Sequence, residues 1–188
     1  MTAKGERRRA AIAAAAGEVV LAEGPAGLSH RAVAARAGVP LAATTYYFRD
    51  LDDLSAAAGV ALVEWWTGHA RRVLDAWQPG GDPAAVLAEA LLPPGDDAAI
   101  RAHHEHLLAL ARNPALAAAV GAAREQLDSV LATLTATVLG AAIDPALVLA
   151  VADGAVIAAA SEARPIRPHT ERLLASLLSG YQHEIGGS

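Results

Sequence analysis

A twenty-residue stretch, SHRAVAARAGVPLAATTYYF at positions 29–48, most constrains the fold of this chain. In its first half, apolar residues recur at the three-to-four-residue spacing of one helical face. Ser29 is a favourable N-cap residue, and Gly38 can take the left-handed conformation that ends a helix. The pattern therefore predicts a short helix over residues 30–37.

A second helix is predicted directly after this turn. Pro40 suits the first turn of a helix because its missing N–H needs no partner there. Two short helices around such a turn are typical of the helix-turn-helix unit, whose second helix lies in the DNA major groove. Helices joined by a glycine turn also occur in ordinary bundles, so the pattern alone leaves both interpretations open.

The flanking residues extend the unit on both sides. Upstream, an apolar stripe that includes Ile12 and Val19 predicts a longer helix ending at Gly24-Pro25. Downstream, Asp50 can cap a further helix that begins near Leu51. A three-helix unit docked on a fourth helix is the expected result.

The segment from about Arg7 to Leu54 resembles the N-terminal domain of TetR-type transcriptional regulators. The matching residues are Ala37-Gly38-Val39, Tyr46-Tyr47-Phe48 and Leu54. The resemblance implies an all-α fold with a helix-turn-helix DNA-binding domain over residues 1–50. It further implies a helical effector-binding and dimerisation domain over residues 51–188.

By position, the resemblance also implies which residues touch DNA. Ser29 and His30 match phosphate contacts, and Arg31 matches a base or phosphate contact. Tyrosine hydroxyls donate well to phosphate, which positions a protein without reading base sequence. The residues that match groove-facing or phosphate-binding positions on the second helix are Leu41, Ala42, Ala43, Thr45, Tyr46 and Tyr47.

Three positions depart from the family pattern. Ala42 stands where glycine is frequent, Tyr47 where histidine is frequent, and Leu51 where a phosphate-binding lysine is usual. With small apolar residues in the groove, base readout would depend on contacts with thymine methyl groups and on few hydrogen bonds. Arg31 and Thr45 would then carry much of the sequence specificity.

Charge is divided unevenly along the chain. Residues 1–49 hold seven Lys/Arg and three Asp/Glu, whereas the remaining 139 residues hold eight and seventeen, within a total charge of −5. Charges more than about 10 Å apart at 0.1 M salt act almost independently, so DNA would respond mainly to the basic part. The basic run from Lys4 to Arg9 could contact phosphates or a minor groove, or could be a solvated tail.

Composition excludes several classes of protein. The chain has no cysteine, so disulfides and thiolate metal sites are ruled out, and a cytoplasmic location is expected. Residues 141–160 are the most apolar stretch, but charged and helix-breaking residues interrupt it, so no membrane helix is predicted. Pro and Gly clusters divide the rest into predicted helices over residues 51–77, 84–92, 97–112, 115–139, 146–162 and 169–185.

The last two predicted helices carry too much apolar surface for a monomer. Residues 146–160 are apolar nearly all round. The next helix carries a stripe of Leu173, Leu174, Leu177, Leu178 and Tyr181. The resemblance implies that these helices pair with their copies in a homodimer. A two-fold dimer would place two recognition helices about 34–36 Å apart, one turn of DNA.

The central helices mix imidazole and indole groups with apolar surface. Pockets for small organic molecules are mostly apolar with a few polar groups. Side chains of this kind are also common as ordinary packing residues. The residues predicted to contact an unknown small-molecule effector are Trp65, Trp66, His69, His103 and His104.

No cofactor or enzymatic activity is predicted. His103 and His106 have a spacing at which helices can bind a metal, but a third ligand is not evident, and nucleophile and phosphate-loop motifs are absent. The sequence therefore predicts a homodimeric regulator, most simply a repressor, that binds a double-stranded operator and is released by a small apolar or aromatic effector. A helical dimeric adaptor and a metal-sensing protein are the alternatives.

Overall fold

We describe the protein from a computed structural model, which covers residues 2–110, 114–139 and 143–185. These residues form α-helices and contain no β-strand, as expected for an all-α protein. The last two residues of the helix predicted over 97–112 lie outside the described ranges. Positions 140–142 and 186–188 also lie outside them. The helices are α1 (Ala3–Glu23), α2 (His30–Ala37), α3 (Leu41–Tyr47), α4 (Leu51–Ala76), α5 (Pro83–Leu91), α6 (Asp97–Leu110), α7 (Pro114–Leu139), α8 (Pro145–Ser161) and α9 (Ile166–Ile185).

The turn between α2 and α3 has the predicted geometry. Ser29 Oγ accepts a hydrogen bond from the Ala32 amide at 3.1 Å and so caps α2. Gly38 has φ 63° and ψ 37°, the left-handed conformation, and its amide donates back to the end of α2. The predicted helix over residues 30–37 is confirmed at both ends.

Pro40 lies one residue earlier relative to α3 than predicted. Its ring holds φ at −59°, but ψ is 144°, so the residue is extended and precedes the helix instead of forming its first turn. Its carbonyl oxygen already accepts from the Ala43 amide at 2.9 Å. Pro40 therefore acts as the N-cap residue of α3.

The start of α9 also differs from the prediction. The helix begins at Ile166, three residues before the predicted position, and includes Pro168. Proline is tolerated here because the first amides of a helix have no partner inside the helix. The Ile166 amide instead donates to Asp97 Oδ2 at 3.0 Å, which anchors this helix end.

The helix-turn-helix region has a continuous apolar core. Ile12, Val33, Phe48 and Leu54 come from different parts of the segment, and all are fully buried. Burial of each such side chain contributes about 1.5–3 kcal/mol. A seven-residue helix such as α3 is unstable alone, so this core determines its position.

The chain divides into two compact units. One comprises Met1–Trp65 with Ala102–Glu125, and the other comprises Trp66–Arg101 with Gln126–Ser188. In the second unit, α8 and α9 pack against each other and α9 also packs against α5. The two units are defined by how residues pack and not by function. The predicted boundary between a DNA-binding and an effector-binding domain near residue 50 therefore stays a prediction.

The left-handed turn gives a test of the fold. A Cβ added at Gly38 would meet no atom within 4 Å, so only the positive φ opposes substitution. Gly38→Ala should therefore lower the free energy of unfolding by about 1 kcal/mol. Gly121→Ala, at an exposed position in α7 with equal space around it, should raise that free energy by up to about 1 kcal/mol. Denaturant titration measures both, and shifts of the same sign would contradict the assignment.

Candidate nucleic-acid interface and ligand-binding residues

The N-terminal end of α2 presents three of the predicted DNA-contacting residues. Ser29 and Arg31 are exposed, and Arg31 makes no ion pair with any described residue. His30 is half-buried, and its Nδ1 is buried without a hydrogen-bond partner among the described residues. The amides and positive dipole of a helix N-terminus favour an anion at this position.

Arg36, the other arginine of α2, has a different environment. Its guanidinium lies 3.7 Å from Glu18 and 4.0 Å from Glu23, both on α1. Two carboxylates therefore neutralise this charge locally. Arg31 and Arg36 are chemically identical but differ in the charge that they leave accessible.

The recognition helix α3 has one clearly exposed face. Leu41 is 48% exposed and Tyr46 is 81% exposed, and Ala42 and Thr45 are also exposed. These positions share one side of the helix. The face is mostly apolar, as expected from its residues.

Two further predicted contacts, Ala43 and Tyr47, are only partly accessible. Both are half-buried and pack against the apolar core of this unit. The rings of Tyr46 and Tyr47 meet edge to face with their centroids 5.0 Å apart. A role for Ala43 in the groove stays a prediction, whereas the Tyr47 ring borders a basic surface described below.

Thr44 was not predicted as important, but it fixes the orientation of α3. Its side chain is fully buried, and its hydroxyl donates to the Leu41 carbonyl at 2.8 Å and approaches the His30 carbonyl at 3.5 Å. Thr44 and Phe48 form the inward face of the helix. The sequence alone does not tell which of the adjacent Thr44 and Thr45 faces inward, because packing against the core sets the rotation of the helix.

The basic N-terminal run is part of α1 and not a separate tail. Lys4, Arg7 and Arg8 line an open groove of about 800 Å³ together with Thr2 and Tyr47. Thr2 Oγ1 caps the helix by accepting from the Gly5 amide at 3.3 Å. The structure therefore places three cations next to the C-terminal end of the recognition helix.

The predicted effector-binding residues of the first unit lie together. The ring centroids of Trp65 and His103 are 6.2 Å apart, and those of His103 and His104 are 5.8 Å apart. His103 is buried, whereas Trp65 is 38% exposed. Trp65 is consequently the most exposed aromatic side chain of this cluster, and His104 is half-buried.

His106 contacts a different element from His103. A Cβ placed on Gly24, at the end of α1, would lie 3.2 Å from His106 Nε2. His103 and His106, whose spacing in the sequence would suit a metal, thus contact different residues. Within the described ranges, no group of three His, Asp or Glu side chains is arranged to hold a metal ion.

Trp66 and His69, in the second unit, bind the C-terminal turn of α5. Trp66 Nε1 donates to the Ala90 carbonyl at 3.3 Å, and His69 Nε2 lies 2.7 Å from the Glu89 carbonyl, to which it can only donate. Carbonyls in the last turn of a helix lack partners within that helix. Both side chains therefore complete α5, and an additional role in ligand binding stays a prediction.

The Glu89 side chain continues this polar contact to α9. One carboxylate oxygen lies 2.6 Å from Arg167 Nη1, and the other lies 3.9 Å from His69 Nε2. No local sequence pattern predicts this network, because its members are up to 98 positions apart. A polar network thereby joins α4, α5 and α9 in the second unit.

Helix α8 has both a buried and an exposed apolar face. Leu149, Ala152 and Val156 are buried, whereas Ile157 is 58% exposed and Leu147 is 40% exposed. Ala150 and Gly154 lie between them on the exposed face. Exposed apolar faces of this kind are typical of subunit interfaces.

No protein-family model and no curated protein matches the sequence significantly. Similar solved structures include the multidrug binding protein EbrR complexed with proflavin, at 35% identity and a TM-score of 0.61, over 90% of this chain and 99% of that one. A member of the TetR family (SCO1917) from Streptomyces coelicolor A3 is 33% identical over 90% of this chain and 97% of its own, with a TM-score of 0.60. The chain belongs to the TetR family of transcriptional regulators.

A further solved structure is similar over most of the chain. A transcriptional regulator (RHA1_ro04179) from Rhodococcus sp. Rha1 is 26% identical, with a TM-score of 0.63, over 92% of this chain and 96% of that one. The similarity thus spans the C-terminal helices as well as the helix-turn-helix. Membership of the family confirms the resemblance inferred from the residues around Gly38. None of the described helices has the length and apolar character needed to span a membrane.

Proposed function

We propose that this TetR-family protein is a homodimeric repressor that binds a near-palindromic DNA operator and is released by a small apolar or aromatic effector. In this proposal residues 1–50 bind DNA, and residues 51–188 bind the effector and form the dimer. The observation that carries the proposal is the exposed face of α3. A helix whose inward side is fixed by Thr44 and Phe48 has its outward side free to enter a major groove.

Contacts with the DNA backbone would surround this face. Tyr46 and the N-terminal end of α2 supply donors on one side, and Lys4, Arg7 and Arg8 add positive charge beside Tyr47. Lysine and arginine contacts with phosphate release counterions, so the affinity should fall steeply with salt. This arrangement compensates for Leu51, which is exposed where a lysine is usual in the family.

Base readout and backbone contact can be separated by substitution. Arg31→Ala should weaken operator binding and relax base preference by about 1–3 kcal/mol, if the guanidinium binds a guanine edge in bidentate fashion. Tyr47→Phe should weaken binding to all duplexes about equally, because a phosphate contact carries no sequence information. Fluorescence anisotropy with operator and scrambled duplexes measures both effects.

Arg36→Ala is the matched control for Arg31→Ala, because it removes the same group from the same helix at a site already neutralised by Glu18 and Glu23. It should leave DNA affinity nearly unchanged. An equal loss of DNA affinity in both arginine variants would mean that Arg31 contributes only through the net charge of the protein. Unchanged binding in Arg31→Ala and Tyr47→Phe together would refute the proposed contact map.

We further propose that the exposed face of α8 forms the homodimer interface with help from α9. Ile157→Glu would bury a carboxylate without a partner in that interface, a change that costs several kcal/mol. The variant should therefore be monomeric at micromolar concentration in size-exclusion chromatography with light scattering. Leu108→Glu introduces the same change at an exposed leucine of α6 and should stay dimeric; a dimeric Ile157→Glu would place the interface elsewhere.

The effector is proposed to be an aromatic organic molecule. EbrR has been solved with proflavin, ethidium and malachite green, and this chain is 33–35% identical to it. In the first unit, Trp65, His103 and His104 provide an aromatic cluster. Trp66 and His69 are separate candidates for ligand contact in the second unit. An effector that shifts the protein from 1:99 to 99:1 between two states needs a differential affinity of about 5.5 kcal/mol.

Effector release has a direct thermodynamic test. Malachite green should bind free protein more tightly than operator-bound protein, because a ligand that releases DNA must prefer the DNA-free state. Dye absorbance titrations of protein with and without operator measure the two affinities, and the duplex alone corrects for dye bound to DNA. Tight binding with equal affinity for both forms would contradict the proposed release mechanism.

A further inference from the structure

A groove between α1 and α4 lies within the first compact unit. Its volume is about 650 Å³, within the approximate 300–1,000 Å³ range of small-molecule sites. The middle of the groove is lined mainly by small apolar side chains, among them Ala10, Ala14, Ala57 and Ala61. Such a floor is smooth and offers no hydrogen bond, so it suits the apolar body of a ligand.

One end of the groove carries two charged side chains that each contact another residue. Arg9 and Asp53 both line this end. The Arg9 guanidinium lies 4.8 Å above the centroid of the Phe48 ring, a cation–π contact. Asp53 accepts from the Arg49 amide at 3.2 Å and lies 3.7 Å from Arg49 Nε. The charged groups at this end therefore already have partners.

The other end of the groove has a carboxylate next to an aromatic ring. Glu64 is exposed and makes no hydrogen bond or ion pair with any residue that the structure describes. Trp65 follows it in the sequence and lines the same groove, with its ring held near His103 at 6.2 Å between centroids. Asp53 and Trp65 are twelve positions apart on α4, about 18 Å of helix.

We propose that this groove binds an amphiphilic organic cation, with its charged group at Glu64 and Trp65 and its apolar body across the alanines. A carboxylate beside an indole attracts a weakly hydrated cation through both charge and the ring quadrupole. The Glu64 carboxylate repels an anion at the same place. The ligand would contact α1 and α4, the two longest helices around the helix-turn-helix.

This site is distinct from the cluster proposed for the effector, although Trp65 belongs to both. Its occupancy requires neither DNA nor a second protomer, because every lining residue lies on α1 or α4 of one chain.

Acridine orange, a planar aromatic cation, is a suitable probe with the full-length protein in the absence of DNA. Glu64→Gln should raise the dye dissociation constant about twofold to fivefold, the scale of one exposed ion pair, because the indole of Trp65 remains in place. Glu6→Gln, which removes the same charge from an exposed position on α1 outside the groove, should leave the constant unchanged. Dye fluorescence anisotropy measures all three proteins.

A second variant tests the apolar floor independently of charge. Ala14 is exposed, so Ala14→Leu should preserve the fold while its side chain fills part of the groove and weakens dye binding at least tenfold. Circular dichroism melting curves verify folding of each variant. The proposal would be overturned if either variant bound the dye as tightly as the wild-type protein. It would also be overturned if the wild-type protein did not bind the dye.

Discussion

The burial of Phe48 and Thr44 against α1 and α2 is the constraint on which the DNA-facing surface depends. Helix α3 has seven residues, too few to be stable in water by itself. Its conformation must therefore be maintained by tertiary packing, and the two buried side chains fix its rotation about its own axis. Once that rotation is set, Leu41, Ala42, Thr45 and Tyr46 point outward together.

The same packing explains why charge accumulates around this face without entering the core. Arg9 covers the Phe48 ring, and Arg36 is neutralised by carboxylates of α1. Arg31 and the first two turns of α1 keep their positive charge accessible. A basic rim around an apolar recognition face separates the two tasks of a DNA-binding surface, since phosphate contacts supply affinity and base contacts supply specificity.

Local signals in the sequence predicted the helix-turn-helix accurately, because its determinants lie within a few residues of one another. The Ser29 cap, the Gly38 turn and the Asp50 cap each act over three or four positions, and each is present as predicted. Pro40 and the start of α9 were misplaced by one and three residues. Proline is compatible with several positions at a helix N-terminus, and its sequence position does not distinguish among them.

Contacts between distant segments could not be predicted in the same way. Trp66 and His69 were assigned to a ligand from their composition and spacing, whereas both donate hydrogen bonds to carbonyls at the end of α5. That partnership depends on the tertiary placement of a helix about twenty residues away, which no local pattern encodes. The groove between α1 and α4 was missed for a related reason, because alanines on two helices form a cavity only when the helices are juxtaposed.

Selection of duplexes from a genomic library at two salt concentrations, followed by sequencing of the retained DNA, tests the central claim most directly. We expect enrichment of a near-palindromic site with half-sites one or more DNA turns apart, and an affinity that falls steeply as salt rises. Retention of no sequence above background at low salt, by a protein that is folded and dimeric, would contradict it. That result would favour a helical dimeric adaptor that does not bind DNA.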